Sequence, residues 1–433
     1  MNGTLSSRFH RLFSLLAVAA LAVPASTAEL DREPINYATA PADNAISRLQ
    51  ERLNSGKTKL KFEDDRGYAK SILAELNVPE SSQVLVFSKT SMQRERISPK
   101  TPRALYFNDD LFVGFCLRGD VMEFSAADPH LGTVFYTLDQ EPATPPRFTR
   151  QTENCMICHS SSSNRGMPGH LVRSLYVDPQ GFPILSEGSF RTDQTSPFRE
   201  RWGGWYVTGT HGEMKHMGNR IVHKKYQIGD GNAAGQNLVD LKPLFTTSFY
   251  LTPHSDIVAL MVLEHQTGMH NLIARASLET RMALHSEREL NKSLDEPVSN
   301  RFDSTKRRIK SAADDLVKHL LFANEFALTD KVAGTTTFAR DFAARGPKDK
   351  KGRSLRDFDL QTRLFEHPCS YLIYSEAFQK MPADVKDIVL RKLHDVLTGK
   401  ETGREFAHLS PEDRRAIREI LVDTMPNLPG YWR

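Results

Sequence analysis

Cysteine is scarce in this sequence: four residues in 433, at positions 116, 155, 158 and 369. That is too few for the dense cross-linking that lets small secreted domains dispense with a large core. An excess of one charge is missing as well, since 57 basic side chains face 53 acidic ones. Removing Arg8 and Arg11 with the expected leader leaves 55 against 53, a balance that points to neither nucleic acid nor an anionic membrane as partner. Beyond residue 23 there is no long uncharged apolar run, so no membrane span is expected in the mature chain. Internal repeats are absent, as are a nucleophile elbow, a phosphate loop and an H-E-x-x-H pair. The run Gly229-Asp230-Gly231-Asn232-Ala233-Ala234-Gly235 has one residue too many for a dinucleotide fingerprint and lacks the flanking strand and helix, so it reads as a loop.

What the chain does contain begins with an export pattern. Arg8 and Arg11 precede an apolar run from Leu12 to Val23, and Pro24-Ala25-Ser26-Thr27-Ala28 supplies small residues for cleavage after Ala28. The expected mature protein is periplasmic. With 39% hydrophobic residues over this length, it can bury a sizeable core, divided into two lobes.

About a third of the way along stands Cys155-Met156-Ile157-Cys158-His159. For a chain of this composition, a C-x-x-C-H run arises by chance in roughly one sequence per thousand. In this motif the sequence resembles the c-type cytochromes. The resemblance implies a covalent haem c held by Cys155 and Cys158, with its iron bound axially by His159. It does not extend to the fold, because the usual cytochrome c domain is small and helical, whereas here the motif lies between strands. Two other chemistries use the same residues. A zinc site would take Cys155, Cys158, His159 and His170 as its four ligands. A redox dithiol would use the two cysteines, though the strand and helix of a thioredoxin-like unit are not seen. Cys116 and Cys369 remain, either paired or as buried free thiols.

The residues around the motif predict an α+β fold, a β-rich lobe followed by a mostly helical one. Helical spacing over 43–53 and 66–76 gives way to short strands at 84–87, 104–107, 111–115, 121–124 and 133–136, read as one antiparallel sheet. Further strands are expected at 171–177 and 182–185 around an Asp178-Pro179-Gln180-Gly181 turn, and at 202–207. Helices are expected over 257–284 behind a Ser255 cap, 306–326, 384–397, and 411–425 behind a Ser410 cap. The implied organisation is a leader at 1–28, a haem-binding domain at 29–250 and a helical domain at 251–433.

An electron carrier needs a sixth iron ligand, usually Met or His, while an enzyme leaves that position open or weakly held. The densest supply is Gly209-Thr210-His211-Gly212-Glu213-Met214-Lys215-His216-Met217-Gly218-Asn219, in which His211 and His216 are the candidates, with Met214 and Met217 behind them. His265, on one helix face with Met261 and Met269, is the other. Cationic or indole partners for propionates are sought among Arg150, Arg173, Arg191, Arg201, Trp202 and Trp205. The expected function is electron transfer with other periplasmic redox proteins. The alternative is a haem enzyme acting on peroxide, oxygen or a nitrogen oxide, with Glu264, His265 or the 211–217 loop as distal acid or base.

Overall fold

The computed structural model describes residues 29–161, 164–223 and 233–433. The expected leader at 1–28 and residues 229–232 of the glycine loop lie outside the described residues.

The short apolar segments divided by turns pair into one antiparallel sheet, as expected. Strands β1 (Val84–Val86), β2 (Arg103–Phe107), β3 (Leu111–Phe115), β4 (Val121–Asp128), β5 (Gly132–Asp139), β6 (Phe148–Gln151) and β9 (Trp205–Tyr206) form a seven-stranded antiparallel sheet in the order β6-β5-β4-β3-β2-β1-β9. One face carries Ala104, Tyr106, Val113, Phe115, Met122, Ala126, Val134 and Leu138. They are buried with Leu49, Leu53, Ile72 and Leu73 of helices α1 (Ala45–Asn54) and α2 (Ala69–Glu75). The register lines up two rows on the other face. One runs Leu105, Gly114, Glu123, Thr137, and the other Phe107, Phe112, Ser125, Phe135, Gln151. Polar and small residues occupy much of these rows, so this face forms the floor of an opening rather than a sealed core.

The helical half covers the edge of that floor. Helix α4 (Ile257–Ser293) is 37 residues long and extends past the expected end at 284. Its cap is Asp256 and not the expected Ser255: Asp256 Oδ1 accepts from the amides of Val258 and Ala259, while Ser255 Oγ donates to the carbonyl of Tyr206. Asp256 Oδ2 also takes the amides of Thr335 and Thr336, so one carboxylate both starts the helix and ties down the 333–336 segment. Helices α5 (Asp303–Leu320), α6 (Ala383–Leu397) and α7 (Pro411–Thr424) pack behind α4, and Ser410 caps α7 in a reciprocal capping box as expected. Ile257, Val258 and Leu263 share one apolar cluster with Val84, Val86, Phe107, Phe112 and Trp205, so the sheet and the helices have a common core. The fold is thus α+β, sheet first and helices second. Two expected strands differ. The 182–185 segment holds a single bridge, Val177 to Pro183, and the partner of β7 (Arg173–Leu175) is instead β8 (Ser189–Arg191).

Candidate functional site

Strand β6 is the edge of the sheet, and four residues after it the chain reaches Cys155. The next residues make a single helical turn, α3 (Met156–His159), with His159 N–H bonded to Cys155 O at 3.0 Å. One turn places residues at i, i+3 and i+4 on one side, and here those are Cys155, Cys158 and His159. Met156 points the other way and anchors the turn in the core beneath the sheet. Ile157 is left exposed.

All three side chains line one cleft above the sheet floor. Its other walls include Met92, Arg103, Phe112, Gly114, Glu123, Ser125, Phe135, His170, Trp205, and Leu263 and Thr267 from α4. The cleft encloses a cavity of about 180 Å³, smaller than the roughly 300–1,000 Å³ of most small-molecule and cofactor pockets, and it opens to solvent at its mouth.

The hydrogen bonds of His159 fix its chemistry. Nδ1 lies 2.8 Å from the carbonyl oxygen of Gly169. A carbonyl can only accept, so Nδ1 carries the proton and Nε2 keeps its lone pair, the tautomer a metal-binding imidazole needs. Burial holds the ring's pKa below its ordinary 6.5 despite the bond to Gly169. The support reaches further: Asn271 on α4 accepts from His170 N–H at 2.7 Å and donates to His170 O at 2.8 Å, clamping the 169–170 segment. A side chain at position 169 would put its Cβ 2.3 Å from Asn271 Oδ1, so glycine is required by close approach.

The cysteines are both free, Cys155 half-buried and Cys158 exposed. Burial pushes the Cys155 thiol up to about 11. A redox dithiol depends on a depressed thiol pKa, so this environment argues against that chemistry. The zinc set is not assembled. His170 turns Nε2 to Ser125 Oγ at 2.9 Å, and among the described residues no three His, Cys, Asp or Glu side chains are arranged to hold an ion. Cys116 and Cys369 are buried free thiols in separate surroundings.

The expected sixth ligands lie outside this cleft, with ring nitrogens engaged by other groups. His211 Nε2 accepts the Asn237 amide at 3.1 Å, and His216 Nδ1 accepts the Gly218 amide at 3.0 Å. Each ring has spent its lone pair on a backbone N–H, so its remaining nitrogen bears the proton. The two rings pack on each other at 4.8 Å and on Phe198, away from the cleft. His265 has both nitrogens engaged, Nδ1 with Gln194 Oε1 and Nε2 with Ser370 Oγ at 2.7 Å, and is stacked on Phe322 in the core. Glu264 is buried against Arg201 at 3.1 Å. None of these lines the cleft.

Of the residues considered for propionates, Trp205 lines the cleft but donates its Nε1 to Arg173 O. Arg150 serves the carbonyls of Tyr37 and Ala40, and Arg201 serves Glu264. The cation in the cleft is Arg103, which proximity in sequence did not single out. It pairs with Glu123 at 2.5 Å, and its Nε is buried with no partner. Gly114 makes room for it, since a Cβ there would lie 2.4 Å from the guanidinium. An orphaned buried donor beside two thiols and a ligand-ready imidazole fits an anionic iron porphyrin.

No family model matches this chain, and neither a curated protein nor a solved structure matches it.

Proposed function

We propose that this protein is an exported, periplasmic monohaem c-type cytochrome that transfers electrons between redox proteins. The observation that carries the reading is the tautomer of His159. A C-x-x-C-H run supplies thiols and an imidazole by spacing alone, but the Gly169 carbonyl leaves Nε2 unprotonated beside both cysteines at one cleft. Cys155 and Cys158 would hold the cofactor through thioether bonds, His159 would bind its iron, and Arg103 would face a propionate. When bound, the group supplies one-electron exchange between ferrous and ferric iron. The chain's own part is to exclude water with Phe112, Phe135, Trp205 and Leu263 and to hold the imidazole neutral and oriented.

The haem-enzyme reading draws less support. It needs a distal acid or base; Glu264, His265, His211 and His216 are buried outside the cleft, which leaves Glu123, paired with Arg103, and His170, bonded to Ser125, as the groups that line it. The test is a haem stain on denaturing gels of the exported protein, with the visible spectrum of His159→Ala beside it. The proposal expects stain that survives denaturation and a Soret band altered by the substitution. An unstained band, or an unchanged Soret band in His159→Ala, counts against it.

A further inference from the structure

The cleft is too small as it stands for the cofactor proposed above, and the mismatch identifies a moving part. Its cavity of about 180 Å³ lies below the roughly 300–1,000 Å³ of cofactor pockets, so a porphyrin is seated only if some of the wall gives way. Most of the wall is fixed. The floor is the hydrogen-bonded ladder of β2 to β5. Leu263 and Thr267 belong to α4, and Trp205 is tied by its Nε1 to Arg173 O. The 169–172 segment is held by Asn271 and by the Thr192 amide on Val172 O. The turn from Asn154 to His159 is anchored by buried Met156. That leaves Thr90, Ser91 and Met92, in the loop between β1 and β2.

This loop is fastened at both ends and lightly held between them. At one end the Lys89 amide bonds Gly181 O at 2.8 Å, and at the other Ile97 is fully buried. Among the described residues, the backbone–backbone bonds of 90–96 all stay within 88–97. Side chains hold the segment down on the sheet. Ser91 Oγ donates to both Glu123 oxygens, at 3.0 and 3.2 Å, Gln93 Oε1 accepts the Val121 amide at 3.3 Å, and Arg96 pairs with Asp120 at 2.9 Å. Of these, the Ser91 bond to Glu123 lies inside the cleft. Met92, 54% exposed, lies across Cys155 with its Sδ 4.0 Å from Sγ. We infer that residues 90–96 form a flap, latched by Ser91 on Glu123, that lifts to let a cofactor reach Cys155. Joining the thiol to a vinyl group forms an S–C bond and passes the thiol hydrogen to the other vinyl carbon, so Sγ has to meet that group with Met92 out of the way. The identity of the entering group rests on the haem reading; the flap is testable without it.

The experiment alkylates the haem-free mature protein with iodoacetamide and follows Cys155 and Cys158 separately by peptide mass. In the wild type Cys155 should react about tenfold more slowly than exposed Cys158, being covered and held toward the unreactive thiol. Ser91→Ala cuts the latch and should raise the Cys155 rate several-fold while leaving Cys158 alone. Met92→Ala, an exposed position, removes the cover and keeps the latch, and should also speed Cys155. Thr90→Ala is the control, since Thr90 Oγ1 meets Ser88 Oγ and not the sheet, and should change neither rate. Thermal melts confirm that each variant is folded. Equal rates for the two thiols in the wild type, an unmoved Cys155 rate in Ser91→Ala, or both thiols accelerating together overturn the flap, whether or not the exported protein carries haem. An exported wild type that fails the haem stain overturns the haem reading, and the thiol rates still decide the flap.

Discussion

Three histidines in this protein, His211 and His216 buried and His159 half-buried, illustrate how a ring's partners decide what it can do. His159, His211 and His216 all have pKa values lowered by burial. Only His159 gives its proton to a carbonyl; the others accept from amides. Replacing His216 by alanine should therefore leave the visible spectrum of the holoprotein unchanged. It should lower stability by about 2 kcal/mol through the vacated space, read by thermal melts. A spectral change equal to that of His159→Ala would place His216 on the iron. The sequence made the 209–219 segment attractive because glycines, histidines and methionines cluster there. Which lone pairs the backbone had already claimed depends on Asn237 and Gly218 folding against the rings, and composition carries no trace of that.

At the level of elements, the site is assembled by three pieces far apart in the chain: the turn after β6, the 164–170 loop, and helix α4. The turn was legible, because the spacing of Cys155, Cys158 and His159 fixes which side of one helical turn they share. The strands were legible too, since the runs at 104–107, 111–115 and 121–124 are short, rich in β-branched and aromatic residues, and divided by turn residues. Arg103 and Glu123 were not, because each reads as an ordinary outward residue of its strand until the register sets them across Gly114. Asn271 was equally hidden, one polar position on a 37-residue helix whose partner lies 101 residues away. That clamp yields a prediction. Asn271→Ala removes both bonds to His170, and Gly169→Ala forces a methyl against Asn271 Oδ1. Each should cost about 2 kcal/mol and loosen His159, seen as a larger high-spin fraction in the ferric spectrum. If both variants keep the wild-type spin state, the Gly169 carbonyl is not what orients the ring.

The whole molecule is built around neutral histidines, with consequences for its response to acid. Burial lowers His211, His216, His265, His270 and His319, the first four being almost fully enclosed. A histidine whose folded pKa lies below its unfolded 6.5 binds its proton more readily in the unfolded chain. Stability therefore falls as pH drops below about 6.5 and stops falling at the folded value. For His270 that window runs from 6.5 to about 4, worth roughly 3 kcal/mol at the 1.36 kcal/mol per unit of a pKa difference. Asp110, Glu264 and Glu325, raised by burial, act in the opposite sense but are fewer among the described residues. Melting temperature should thus decline steadily between pH 6.5 and 4, and a flat profile there would mean that these rings charge without cost. Among the described residues no helix is long and apolar enough to cross a membrane.

The proposed haem is held by covalent bonds, so the mass of the exported protein under denaturing conditions reads its attachment directly. The account predicts the polypeptide plus one haem, with the addition mapping to the peptide that holds Cys155 and Cys158 and lost when both are replaced by alanine. The bare polypeptide mass, with both thiols free to alkylate, would contradict it.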